Sequence, residues 1–288
     1  MPEEEGSAGA GIAAAVAPHP PLTSYYRSAE ERPAYVRALF DRTARHYDRI
    51  NALMSLGWGR RYRREMLRSA GLRPGMAVLD VAVGTGQVAG EARRLLAGRG
   101  TVVGLDASEG MLARARSAGA ADALVLGRAD ALPFADGSFD LVSMGYALRH
   151  MADLALAFGE LGRVLAPGGT LLVLELTPPR HRPGRALLRV YLGRVLPLVS
   201  LLTTGSHDAR TLMRYHWDTV EACVPPETIL AAMRGADLTH SRCDVQFGFL
   251  RAYVGRKTQR RRRDSDQVPR ADDGAMPDGD HGHQKQGR

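Results

Sequence analysis

The stretch Val78–Ala89, VLDVAVGTGQVA, limits what this chain can fold into more than any other. An apolar, β-branched run reads as a buried strand, and Asp80 lies within it. Gly84 and Gly86 follow, where the chain must turn sharply into a helix and a ligand can press against the backbone. Asp106 stands twenty residues past Gly86, at the end of the next apolar run. Strand, glycine turn, helix, then a strand ending in a carboxylate is the nucleoside-binding half of a doubly wound fold. The carboxylate there accepts both hydroxyls of an adenosine ribose.

The rest of the chain continues the alternation. Strands are predicted at Met76–Val81, Thr101–Asp106, Ala123–Arg128, Phe139–Gly145 and Thr170–Leu176. Helices are predicted at Gly86–Leu96, Glu109–Ser117 and Leu154–Leu165, the last stopping at Pro167-Gly168-Gly169. Such alternation means a parallel sheet covered on both faces. Helices at Pro33–Arg45 and Arg60–Ala70 precede it, and helices near Gly184–Leu202 and Thr228–Arg234 follow. A hairpin, Leu238–Cys243 and Phe249–Val254, closes the sheet edge. Residues 1–24, small, Pro-rich and acidic, and the polar tail 257–288, with Arg260–Arg263, are expected to be disordered, leaving one domain over 25–256.

Composition removes several chemistries. The net charge is +8, yet Lys257 and Lys285 are the only lysines. Schiff-base and phosphate-loop lysines are therefore excluded from the domain. Cys223 and Cys243 give neither a disulfide framework nor zinc spacing, so no metal is expected and a reducing cytoplasm suits the chain. Aromatic residues at 6% argue against a nucleic-acid surface. The apolar run Leu187–Leu202 is interrupted by Arg189, Arg194 and Pro197, which leaves a peripheral membrane contact open; a homodimer is open too.

Nicotinamide dinucleotides and S-adenosylmethionine share the glycine-turn geometry. A dinucleotide places its pyrophosphate on the helix N-terminus. S-adenosylmethionine lays its methionine arm along the turn, where Asp80 suits the ammonium group. Asp130 can accept from an adenine amino group, and Ala131 leaves room for the ring. The motifs D-x-x-x-G-T-G, G-L-D-x-S-x-x-M-L, D-A-L-P-F-x-D-x-S-F-D and R-V-L-x-P-G-G-T-L-L-V-L-E together resemble class I S-adenosylmethionine-dependent methyltransferases. They resemble more narrowly the UbiE-type C-methyltransferases of ubiquinone and menaquinone biosynthesis. Phe40-Asp41, Tyr47-Asp48, Asn51, Met54-Ser55 and Gly57 resemble that family's N-terminal helices.

The resemblance implies a Rossmann-like seven-stranded, mostly parallel sheet with an N-terminal helical extension and an added antiparallel strand. It implies a cofactor site of Tyr47, Asp80, Gly84, Thr85, Gly86, Asp106, Ala107, Met111, Asp130, Ala131 and Gly145, where Gly145 replaces a serine and offers only backbone. The match covers about Val36 to Val254. It weakens in the acceptor half: His150 stands where the family has asparagine, and Tyr215–Pro225 departs from its usual segment.

Methylating an aromatic carbon requires an electron-rich ring, made by ionising a phenol. Arg149 and His150 follow the fourth strand, so His150 is the expected base and Arg149 the expected partner of a phenolate. Tyr146, His207, Tyr215 and His216 are expected to meet the acceptor, and the apolar Leu187–Leu202 to wall it. The expected activity is methyl transfer from S-adenosylmethionine to a lipophilic phenol or quinol at ring carbon. O-methylation, other chemistry on the same cofactor, nucleic-acid methylation and NAD-dependent oxidoreduction remain as alternatives.

Overall fold

The computed structural model describes residues 15–55 and 57–259. Its sheet has seven strands, β1 (Ala77–Val81), β2 (Thr101–Asp106), β3 (Ala123–Leu126), β4 (Phe139–Gly145), β5 (Leu165–Leu176), β6 (Leu238–Gln246) and β7 (Leu250–Lys257). Their order is β3-β2-β1-β4-β5-β7-β6. Strands β1 to β5 run parallel, and β7 pairs antiparallel with β5 and β6. The order reverses between β1 and β2 on one side and β4 on the other, and ligands of open α/β sheets sit at that switch point.

The period-two alternation of the strands decides what each face buries. Leu79, Val81, Leu171 and Val173 point to a core with helices α5 (Leu154–Val164) and α9 (Pro226–Gly235). Val78, Leu172 and Leu174 point the other way, against α2 (Gly59–Ser69) and α3 (Gln87–Leu96). Helix α4 (Glu109–Ser117) is capped by Ser108, whose hydroxyl accepts from the Met111 N–H. A third apolar cluster unites α1 (Arg32–Ser55), α6 (Arg182–Val190), α7 (Leu196–Thr204) and α8 (His207–Ala222) with Tyr26 and Leu176. It covers the carboxyl end of β5 and frames the site.

Three segments differ from expectation. Pro167-Gly168-Gly169 does not separate α5 from β5: the strand begins at Leu165 and absorbs the triplet as a register shift opposite Phe139 and Leu141. The polar-looking stretch from His207 is a four-turn helix, because its apolar positions Leu212, Met213, Tyr215, Trp217 and Val220 are all buried. Residues 15–24, expected to be disordered, form a strap across the domain. Val16 N–H donates to Asp153 Oδ1 at 3.1 Å, Leu154 N–H to Val16 O at 2.9 Å, and Val224 N–H to Pro18 O at 2.8 Å. The buried Arg32 guanidinium ties His19 O to Met151 O, at 2.9 and 3.1 Å. Residues 1–14 and 260–288, including Arg260–Arg263, lie outside the described residues.

A chain starting at residue 25 loses these hydrogen bonds, each contributing roughly 1 kcal/mol. Against a chain starting at residue 15, differential scanning calorimetry should find its melting temperature lower by about 4 °C or more. Equal temperatures would mean that the strap adds nothing to stability.

Candidate functional site

A cavity of about 400 Å³ opens over the carboxyl ends of β1, β2 and β4. The chain must leave β1 and β4 abruptly here. Ala82 and Tyr146, the residues just after these strands, take left-handed φ values of 55° and 61°. Both line the cavity. That conformation costs about 1–3 kcal/mol for a residue with a Cβ and is kept where the surroundings enforce it. Gly86, at φ 85°, is required for a different reason: a Cβ there would lie 2.1 Å from that of Ala120.

One end of the cavity is polar. Asp106 closes it, its Oδ2 accepting from Gly84 N–H at 2.8 Å and its Oδ1 from Ser108 N–H at 2.9 Å. Burial pushes the Asp106 carboxyl above its ordinary range, and the two backbone donors oppose that. Each oxygen keeps a lone pair for a further donor. Gly84, Ala107, Met111, Asp130 and Gly145 share this end, with Gly127 and Ala129. Asp130 is held by Arg128, Nε to Oδ1 at 2.8 Å, and the pairing lowers its carboxyl pKa.

The other end is aromatic. Val36, Phe40 and Tyr47 come from one face of α1, joined by Tyr146, His150 and Met151. Phe40 meets Tyr47 at 5.9 Å and the His150 imidazole edge-on at 5.4 Å. His150 also stacks on Tyr215, centroids 5.5 Å apart and planes 20° apart. It is 9% exposed, and neither ring nitrogen has a hydrogen-bond partner among the described residues. Burial, then the Arg149 charge, holds its pKa well below the usual imidazole value, so it is neutral at pH 7.

Several expected site residues lie elsewhere. Arg149 is closed to solvent and does not line the cavity. Its guanidinium pairs with Glu175, donates from Nε to Thr219 Oγ1 at 3.1 Å and meets the His216 imidazole at 2.9 Å. It therefore has no free face for a phenolate, and it fixes the 3₁₀ turn Leu148–His150 onto β5 and α8. His216 is spent on that network, with its pKa driven well down by burial and then by Arg149. Tyr215 does not line the cavity and stacks on His150 from behind, and His207 stands exposed at the start of α8.

Asp80 is buried beneath the glycine turn, accepting from Ala89 N–H at 3.0 Å and Ser143 Oγ at 2.7 Å. Burial pushes its carboxyl up to about 7. It braces the turn and does not line the cavity. Thr85 gives its hydroxyl to Asp48 at 2.6 Å and, with Gly86, faces a cleft on the far side of the turn. Ala131 is exposed, and Ala129 takes its expected place in the cavity wall.

Sequence reasoning missed Val36, Phe40 and Met151, although the spacing of Val36, Phe40 and Tyr47 places them on one helical face. It also missed Arg63. Of the basic run Arg60, Arg61, Arg63 and Arg64, Arg60 and Arg64 pair with Glu91, whereas Arg63 is 3% exposed. Arg63 sits over the Tyr146 ring at 5.5 Å, and its Nε has no partner among the described residues. It lines the cleft behind the glycine turn with Thr85 and Gly86.

The family model of the ubiE/COQ5 methyltransferase family matches residues 27–253. The chain belongs to this family. It is 42% identical over 178 residues to a demethylmenaquinone methyltransferase of Symbiobacterium thermophilum, covering 60% of this chain and 71% of that one. It is 38% identical over 221 residues to the enzyme of that name from Thermus thermophilus, covering 75% and 99%. Among solved structures, a SAM-dependent methyltransferase from Thermotoga maritima aligns with a TM-score of 0.56 over 77% of this chain and 99% of that one. At 18% identity that likeness shows the shared fold.

Proposed function

We propose that this methyltransferase transfers the methyl group of S-adenosylmethionine to a ring carbon of a lipophilic quinol of the demethylmenaquinol kind, in the cytoplasm at the membrane surface. The observation that carries this reading is the two-ended cavity: a nucleoside-binding end around Asp106 opens directly onto an aromatic chamber holding a neutral, unpartnered histidine.

The residues present fit the cofactor. Asp106 offers lone pairs for the two ribose hydroxyls. Asp130 offers an acceptor beside an adenine ring set against Gly127 and Ala129. Gly84 and Gly145 let the backbone approach closely. Arg63, which lines the cleft behind the glycine turn and lies over the Tyr146 ring of the cavity wall, supplies a positive charge from behind that wall for the carboxylate of the amino-acid arm. S-adenosylmethionine, when bound, supplies an electrophilic methyl on sulfur.

The chain's own residues do the rest. Phe40, Tyr47, Tyr146 and Met151 hold a flat apolar ring and exclude water, so alignment lowers much of the barrier. A neutral imidazole accepts a hydrogen bond from a phenolic hydroxyl. As that proton moves to His150, electron density rises at the ring carbon beside the oxygen. The imidazolium, disfavoured in the free protein, is stabilised by the phenolate formed next to it. With S-adenosylmethionine bound, the activated ring carbon would lie where it can take the sulfonium methyl. The proton displaced from that carbon would pass to water as the His150 imidazolium returns its own proton to the oxygen, so that the aromatic phenol is restored and one proton leaves per turnover. Arg149 keeps His150 in place and uncharged.

His150→Asn should lower turnover roughly 10²–10⁴-fold with little change in cofactor affinity. Because the pKa is depressed, wild-type activity should persist as pH falls from 7 and decline only well below pH 6.5; the variant should lack that acid limb. Turnover measured against pH decides, and full activity with the same limb in His150→Asn would remove the base.

Arg63→Met should weaken S-adenosylhomocysteine binding about 10–100-fold, the range of a charged hydrogen bond, and leave 5′-methylthioadenosine unaffected. Calorimetry showing equal losses for both ligands, or none, would remove Arg63 from the cofactor site.

A further inference from the structure

Residues Arg182–Thr204 form one continuous helical rod whose most apolar stretch has mean hydropathy 1.5 and is only 22% buried. A core helix of that composition would be covered on most sides. Here Leu187 and Leu202 are 73% exposed, Leu198 54%, Val190 46% and Val195 42%. Their spacing along the chain is three, five, three and four residues. The five-residue step crosses a π-helical turn, Tyr191–Val195, where Leu196 N–H donates to Tyr191 O. Pro197, the second residue of α7, lacks a donor, and the widened turn accommodates it. The same widening brings Val195 above Val190, so all five side chains fall in a single outward stripe. A regular α-helix would turn the second half of the stripe by about 100°.

The inward side is fixed. Leu192, Leu196, Pro197 and Ser200 are buried, Tyr191 OH donates to Leu53 O at 3.0 Å, and Arg49 donates to Thr203 O at 2.9 Å. The rod is thus docked on α1 and α8. The apolar cluster beneath it includes Phe40, Tyr47 and Tyr146 of the cavity wall. The rod carries Arg182, Arg185, Arg189 and Arg194 and no acidic residue. Arg185 and Arg189, each two residues from Leu187 and so turned roughly 160° away from it, share Glu221 of α8, which leaves the exposed Arg182 and Arg194 as the charges beside the stripe.

We propose that this stripe seats the enzyme on a bilayer containing anionic phospholipid. The valines and leucines enter the acyl boundary, and Arg182 and Arg194 meet headgroup phosphates. This extends the reading of the acceptor as lipophilic: the acceptor reaches the aromatic chamber from the lipid beneath the rod. A second copy of the chain fits the stripe less well. It would bring arginine against arginine, and five side chains fall short of the about 800 Å² per partner of a stable interface. A span across the membrane is opposed by the buried inward side.

The test is co-sedimentation of the full chain with vesicles of phosphatidylcholine alone and of phosphatidylcholine with about 30% phosphatidylglycerol. Wild-type protein should partition at least about tenfold better onto the anionic vesicles, and Leu187→Ser/Leu198→Ser/Leu202→Ser should lose about tenfold or more of that binding. Its melting temperature should be unchanged, because the three side chains already face solvent. Absence of wild-type binding would overturn the proposal. So would equal binding by the triple variant, which would assign attachment to another part of the chain. A concentration-dependent dimer abolished in the triple variant would assign the stripe to self-association. The assay uses no acceptor, so its failure leaves the reading of the reaction standing.

Discussion

A guanidinium closed off from water survives only with a charge and hydrogen-bond acceptors around it, and Arg149 has both. Its pairing with Glu175 joins the turn after β4 to the end of β5, and its bonds to Thr219 and His216 draw in α8. Removing one partner would leave a buried charge, at a cost of about 3–5 kcal/mol. The consequence for chemistry is indirect. Arg149 does not line the cavity, but the burial it enforces and its charge keep His150 and His216 neutral. One ion pair thus fixes the turn that carries His150 into the aromatic end of the cavity.

The two ends obey different physics. At the nucleoside end the backbone carries recognition: Gly84 and Ser108 orient Asp106, and Asp80 braces the turn from below. Strain at Ala82 and Tyr146 is tolerated because strands on both sides hold the turns. At the aromatic end recognition is by side chains, drawn from α1, the 3₁₀ turn and the α8 residue stacked behind it. Little hydrogen bonding specifies a partner there. A flat, apolar ligand with a hydroxyl near His150 gives a partner to one of its ring nitrogens, which have none among the described residues.

This division explains what could be read from the sequence. The strands, the glycine turn and Asp106 were legible because period-two hydrophobicity and the φ > 0 requirement act locally. Gly84, Ala107, Met111, Asp130 and Gly145 came with them, since each is fixed by its place on a strand or helix end. The places of Arg149, His216 and Thr85 were not legible, because their residue types suit a site equally well and only tertiary packing turns Arg149 to His216 and Thr85 to Asp48. Arg63 was hidden for the same reason: four arginines in five positions look like a solvated face until one is found buried over Tyr146. The strap at residues 15–24 carries little apolar signal, since its contacts are mostly backbone hydrogen bonds. Helix α8 was obscured by polar residues that alternate with its buried face.

The central claim, that the two-ended cavity joins an electrophilic methyl to a ring carbon, is tested most directly by following the methyl group itself. The full chain is incubated with S-adenosylmethionine bearing a deuterated methyl and with a reduced prenylated naphthoquinol, and the product is fragmented by mass spectrometry. The account predicts one labelled methyl per turnover, retained on a ring carbon, with one S-adenosylhomocysteine released. A label on oxygen, or tight cofactor binding with no transfer to any quinol, would contradict it.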